Sequence, residues 1–405
     1  MGSPELVKKA QQYMDILCRE IPTRRLGSQG NKDATAFFQK TIEGMGYSVE
    51  AQRFDCIHSQ LGPTSLTAGG KSFQVYPSPF TLGCDATAEL AGIDTVEKLE
   101  SVDIAGKITL IHGELAREQL MPKNFVFYNP QEHQHIYRLL EDKKPAAIIT
   151  ATSKNPDAAG AIYPFPMIED GDFDIPNAFM TDTEGAKLVE HTDSVVRLKI
   201  DAKRIPTWGE NIIARAGNLK KKVVFCAHID TKENTPGALD NASGVTIMLL
   251  LADLLREYVG SPGIEFAAFN GEEYYSTPGQ NKYLSGYGED FSSILIGINM
   301  DDIGYIKGRT AFSFYGVPED LAENIRGVYK GRDDFFEGPP WYQSDHGIFM
   351  AKGIPAMAIT EEMVLELMEE ITHTEKDTAE LIDLHKLVEN AQALADFICT
   401  DSIRV

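Results

Sequence analysis

Residues 222–245 read KVVFCAHIDTKENTPGALDNASGV, and the fold turns on how this stretch is understood. Val223 to Ala227 is an unbroken apolar run with the length and composition of a strand buried on both faces. It ends at His228-Ile229-Asp230. A Pro236-Gly237 turn follows, and residues 238–244 then open a strongly apolar helix predicted from Ala242 to Tyr258. Strand, loop and buried helix make the start of an α/β unit. In open α/β sheets the chemistry collects beyond the carboxyl ends of the strands. His228 and Asp240 stand there, and neither fits a core pattern.

Downstream the same texture repeats. A strand over Ile264–Phe269 leads to Asn270-Gly271-Glu272-Glu273, and one over Ile294–Met300 leads to Asp301-Asp302. A helix is expected over Glu319–Tyr329. After Ser344-Asp345-His346 come a short helix and a strand, Ile354–Ile359. His373 to Asp377 is a polar loop, and a last amphipathic helix runs from Glu380 to Ile398. Upstream, Ser3–Cys18 reads as a helix with Ser3 at its N-cap and Pro4 at its first position. A second helix spans about Lys32–Met45 and is capped by Gly46, with a strand over Tyr47–Phe54. Between these blocks the chain is punctuated by proline. It carries a hairpin around Gly69-Gly70, strands over Lys107–Ile111, Ala146–Thr150 and Val195–Ile200, and a helix over Gln134–Asp142. Residues 1–54 and 206–405 therefore read as one discontinuous α/β domain, and 55–205 as a β-rich insert.

Composition bounds the function. The 405 residues are 43% hydrophobic and 24% charged, an ordinary balance for a globular protein with a sizeable core. The net charge of −22 argues against nucleic acid and anionic membrane as partners and favours a cationic ligand. Five scattered cysteines give no disulfide framework. The amino terminus is amphipathic rather than a basic flank plus an apolar run. As written this points to the cytoplasm, or to secretion if a leader has been removed. No run of 18 apolar residues offers a membrane span. His133 and His135 form an HxH pair without a third ligand in view, and a polar helix face accounts for them. Oligomeric state is not encoded in any recognisable pattern.

Several strands in succession thus end in histidine or carboxylate. His228, Asp240, Glu273, Asp301 and His373 supply nitrogen and oxygen without thiolate, a donor set that suits zinc, with cobalt or manganese as the other fits. Five ligands exceed what one catalytic zinc takes while keeping a position open. Two ions sharing Asp240 solve the count, one completed by His228 and Asp301, the other by Glu273 and His373.

With the motifs HID (228–230), GALDNASGV (237–245), FNGEE (269–273), NMDD (299–302), SDHGIFMAKGIP (344–355) and HTEKDT (373–378), the chain resembles the M28 family of zinc peptidases. The insert resembles a protease-associated (PA) domain through GKITLIHGE and PAAIITAT. The resemblance implies an α/β zinc-exopeptidase fold, with a mixed, largely parallel sheet flanked by helices. It implies a two-zinc aminopeptidase acting on peptides, and it assigns metal ligation to the same five residues and general-base catalysis to Glu272. Asp302 competes with Asp301 for ligation, and the family order, ligand directly after Asn-Met, favours Asp301. Asp230, two residues from His228 on the same strand face, is expected to hold the other imidazole nitrogen. Asp345 and His346 are expected as hydrogen-bonded supports. Tyr342 is a candidate oxyanion donor, although it stands two residues before Ser344 where three are expected in some relatives. A cis peptide between Asp240 and Asn241 is also implied. Other readings are a carboxypeptidase or dipeptidase clamping its substrate carboxylate with Arg326 or Arg332, a single-zinc glutaminyl cyclase, and a non-catalytic binding protein.

Overall fold

Proline at position 4 starts helix α1 (Pro4–Asp15) in a computed structural model that describes residues 3–155 and 159–400. Ser3 occupies the N-cap position, but its side chain makes no capping bond; the helix is held instead by Leu6, Ala10, Tyr13 and Met14, buried along one face. A five-residue π turn, Ile16–Glu20, follows in place of further α-helix. Helix α2 (Gln29–Gly44) begins three residues earlier than the sequence predicts. The reason is Ser28, whose hydroxyl accepts the Asn31 N–H at 3.1 Å and caps the helix there. Gly46 ends the segment with φ +96°, a conformation glycine adopts without cost.

The described chain divides into two units. One comprises the chain up to Cys56, Trp208–Leu367 and the chain from Ile371 on; the other comprises Ile57–Thr207 and Met368–Glu370. The first unit is built on a mixed sheet. Strand β1 is Val195–Ala216, of which the part from Trp208 belongs here. It is followed by β2 (Lys222–His228), helix α3 (Gly244–Leu254), β3 (Gly263–Phe269), α4 (Pro278–Ser285) and β4 (Ile294–Met300). Then come β5 (Thr310–Tyr315), α5 (Glu319–Tyr329), β6 (Phe335–Glu337), α6 (His346–Met350), β7 (Ala356–Glu361) and α7 (Leu384–Cys399). The strand order is β6-β5-β7-β4-β2-β3-β1. The central run β7-β4-β2-β3 is parallel, and β5–β7 and β3–β1 are antiparallel pairs.

Burial explains the sequence pattern. Every residue of β2 and β3 is buried, as expected of central parallel strands covered on both faces. Helix α3 is buried from Gly244 to Ala252, packed in one hydrophobic cluster with α1, α2 and α7. Close approach at its start requires glycine, since a Cβ on Gly244 would meet the Met300 carbonyl oxygen at 2.2 Å.

The second unit has its own hydrophobic clusters. Strands Cys84–Ile93, Ile108–Ile111, Ala147–Thr152 and Asn177–Thr181 pair in parallel succession, so this unit is α/β in its centre rather than purely β. A hairpin pairs Leu66 with Phe73 across Gly69-Gly70. Among the described residues no helix is long and apolar enough to cross a membrane.

One polar cluster lies inside the first unit. Glu265 on β3 has no exposed surface and accepts from Lys222 Nζ at 2.7 Å, Arg215 Nε at 2.6 Å, Tyr283 Oη at 2.6 Å and Tyr287 Oη at 2.9 Å. Burial alone would raise its pKa, yet Lys222 and Arg215 hold it below the ordinary value. Removing the carboxylate strands the Lys222 ammonium in the interior. Glu265→Ala is expected to lower the unfolding free energy by about 3–5 kcal/mol, read from urea denaturation. A loss below about 1 kcal/mol would show that the cluster is energetically idle.

Candidate metal centre

Register brings the polar strand ends to one edge. His228 on β2 pairs with Phe269 on β3, so the 270–273 turn begins beside it. Asn299 on β4 pairs with Cys226 on β2, and Met300 pairs with Ile359 on β7. Asp301 extends that ladder by donating its N–H to the Ile359 carbonyl at 3.0 Å. Asp240 lies in the turn before α3, and His373 in the loop between β7 and α7.

The five residues meet there as two groups. Ligand atoms of His228, Asp240 and Asp301 lie within 4.8 Å of one another, and so do those of Asp240, Glu273 and His373. His228 Nε2 is 3.2 Å from Asp240 Oδ1 and 3.4 Å from Asp301 Oδ2. His373 Nε2 is 3.1 Å from Asp240 Oδ2 and 3.0 Å from Glu273 Oε1. Asp240 therefore turns one oxygen to each group. His228 Nε2, Glu273 Oε1 and Asp301 Oδ1 are buried without a hydrogen-bond partner among the described residues. Ligand atoms converging in this way fit divalent cations. The groups draw on Asp301 and not Asp302, which is buried at φ +54°.

Protonation follows from the crowding. Burial alone would lower the pKa of both imidazoles. Asp301 and Asp240 instead lift His228, and Glu273 and Asp240 lift His373, well above the ordinary histidine value. Burial would raise Asp240, but the two imidazoles hold it well below the carboxylate range. Glu272 is pushed well above it, by burial first, with Glu273, Asp345 and Asp301 adding to the effect against His228. Such a carboxyl is suited to holding a proton and giving it up again.

The loop joining His228 to Asp240 is held from within. Arg24, 1% exposed, donates to the carbonyls of Leu17 (2.6 Å), Ile229 (2.9 Å), Pro236 (2.7 Å) and Gly237 (2.9 Å). Gly237 is in the left-handed region, where a Cβ would meet the Asp240 carbonyl oxygen at 2.4 Å. Asp377 accepts the N–H groups of Leu239 at 2.8 Å and Asp240 at 3.1 Å. The Asp240–Asn241 peptide is cis, and Asn241 ties the turn to Met300 O (2.8 Å) and Gly244 N (3.0 Å). Arg24 and Asp377 were not singled out from sequence. Asp377 lies inside HTEKDT, a local signal that could have found it.

The supporting residues are placed as follows. Asp230 contributes its backbone carbonyl to His228 Nδ1 at 3.0 Å, while its carboxylate stands 3.8 Å from that nitrogen. The carboxylate accepts instead from Gly271 N (2.8 Å) and Glu273 N (3.2 Å), fixing the turn that carries Glu272 and Glu273. Tyr342 is 69% exposed and rests edge-on against Tyr315; its hydroxyl has no hydrogen-bond partner among the described residues. Asp345 accepts from Gln280 at 2.7 Å and is pushed up to about 7 by burial. His346 donates through Nε2 to Trp341 O at 2.7 Å. Ser344 donates to Asp301 Oδ2 at 2.5 Å and accepts from Asn299 at 2.8 Å. Arg326 is occupied by Glu319 and Glu337, and Arg332 by Val328 O, Glu389 O and Asp396. His133 accepts the Met121 N–H and His135 contacts Glu100, so the HxH pair is spent on local bonds.

Known proteins with this architecture give the arrangement its context. An aminopeptidase of Pseudomonas aeruginosa is 24% identical over 379 residues, covering 87% of this chain and 69% of that protein. The structure of an aminopeptidase from Aneurinibacillus sp. strain AM-1 superposes with a TM-score of 0.75 at 20% identity, covering 97% of this chain and 93% of that one. BSAP, a zinc aminopeptidase from Bacillus subtilis, gives 0.73 at 21% identity, with 97% and 94% covered. The model of peptidase family M28 matches residues 211–398, a span that holds all five converging residues and Glu272.

Proposed function

We propose that the chain is a two-zinc aminopeptidase. The observation that carries this reading is Asp240, whose two oxygens face separate groups of ligand atoms at 3.2 and 3.1 Å. A single-zinc cyclase would have no use for the second group, and the residues weighed as carboxylate clamps are engaged elsewhere. Bound zinc supplies the electrophile that polarises the scissile carbonyl and acidifies water.

The chain's own residues do the rest. Glu272 takes the proton of the attacking water and delivers it to the leaving amine. Asp230 presents Glu272 and Glu273 by accepting the N–H groups of their turn. The acidic excess of the chain, a net charge of −22, favours a substrate with a free, cationic amino terminus. In the second unit, GKITLIHGE and PAAIITAT supply adjacent parallel strands, Ile108 opposite Ala147. We read this unit as a PA-like insert accompanying the peptidase domain.

Purified protein is expected to carry about two zinc ions per chain, Asp240→Ala none and Glu273→Ala about one, by elemental mass spectrometry. Peptides with free amino termini should be cleaved and their N-acetylated forms left intact; the reverse preference would sink the aminopeptidase reading. Glu272→Gln should keep its zinc while kcat falls by about 10²-fold or more. Near-normal turnover in that variant would remove Glu272 from the base role.

Proton linkage gives a further test. Without metal, His228 and His373 hold protons beyond the ordinary imidazole range, because their pKa values are raised. A cation must expel those protons, so zinc affinity should rise with pH through and above that range and fall as pH drops. Calorimetry in buffers of different ionisation enthalpy should register proton release at pH 7; affinity independent of pH would contradict the assigned ligands.

A further inference from the structure

The two groups of ligands are not equivalent in their surroundings. His228 has no exposed surface, and its Nδ1 is held by the Asp230 carbonyl at 3.0 Å. Asp301 is steadied by the Ser344 hydroxyl at 2.5 Å. On the other side the His373 side chain keeps 18% of its surface exposed, and its Nδ1 is buried with no hydrogen-bond partner among the described residues. An imidazole whose second nitrogen is unsupported is a weaker and less well oriented ligand. Glu273 meets a cation as well. Lys232 Nζ donates to its carbonyl at 3.2 Å and lies 3.7 Å from its Oε2. An ammonium at that distance competes with a bound cation for the carboxylate's charge and repels the ion directly.

Resting on the two-zinc reading, we propose that the positions differ in affinity. The His373–Glu273 position is the one that loses and exchanges its ion, and Lys232 sets the difference. Arg24 cannot create this asymmetry, because its donors are spent on backbone carbonyls and its charge acts on Asp240, which both positions share. Lys232 acts on one position only. It also donates to the Glu273 carbonyl, a bond that Lys232→Arg keeps.

The test is titration of metal-free protein with zinc against a chromophoric chelator at fixed pH. Wild type should bind two ions whose dissociation constants differ by about ten-fold or more. Lys232→Met should tighten the weaker ion by roughly ten-fold, leaving the tighter one unchanged, and Lys232→Arg should restore the wild-type gap. Glu273→Ala should remove the weaker ion alone. Two ions of equal affinity, an unchanged gap in Lys232→Met, or loss of the tighter ion in Glu273→Ala would each overturn the inference while sparing the two-zinc reading. A single ion in both wild type and Lys232→Met would overturn that reading and the inference with it.

Discussion

The structure depends on how Asp240 is held. A carboxylate that faces an imidazole on each side must keep both oxygens free of competing donors, and its backbone must be fixed without using its side chain. Asp377 achieves this from the loop that also carries His373, by accepting the N–H groups of Leu239 and Asp240. That contact joins the two ends of the centre, since the residue that orients the shared carboxylate lies four positions from one of its partners. Burial pushes Asp377 up to about 7, with Asp240 adding to the effect and the two N–H donors opposing it. Arg24 completes the frame from the amino-terminal segment and brings one buried positive charge close to Asp377, Asp240 and Asp230.

Fold and chemistry are coupled through the parallel strands. β2, β3 and β4 are buried on both faces and can carry no polar side chain along their length except where it is paired, as Glu265 is. Polar residues are therefore expelled to the strand ends, and parallel pairing gathers those ends at one edge. A parallel sheet with apolar strands has little choice but to concentrate its functional groups. The antiparallel pairs at β5–β7 and β3–β1 extend the sheet without adding ligands to the centre.

Legibility in the sequence follows the same division. The strands and α3 are visible because burial writes long apolar runs, and the meeting of their polar ends follows from topology alone. What stays hidden is carried by contacts with no local signature. Arg24 and Arg25 are adjacent and chemically identical, yet Arg25 pairs with Glu233 while Arg24 is wholly interior. Only the path of the 229–237 loop distinguishes them. Helix α4 is missed because it is short and opens on Pro278-Gly279, which reads as a turn; Gly279 is there because a Cβ would strike the Asn270 carbonyl oxygen at 2.0 Å. β5 is missed because its six residues carry no flanking motif. The Asp230 expectation is met through a different atom. Sequence spacing placed its side chain near His228, but a carbonyl can serve the imidazole equally well, which frees the carboxylate for the next turn.

Charge balance shows why the centre calls for cations. Asp230, Asp240, Glu272, Glu273, Asp301, Asp302, Asp345 and Asp377 crowd one edge, opposed by His228, His373, Arg24 and Lys232. Carboxylates at this density cannot all ionise in a poorly hydrated space. Without metal the conflict is relieved by protons, and hence the imidazoles and several of the acids are lifted above their ordinary values while Asp240 alone is driven down. Divalent ions offer a better solution than protons, because each neutralises more charge and accepts lone pairs from several directions at once. The acids nearest the imidazoles, Asp240, Glu273 and Asp301, are the ones the two groups of converging atoms draw on, while Glu272, Asp230, Asp302, Asp345 and Asp377 stand outside both.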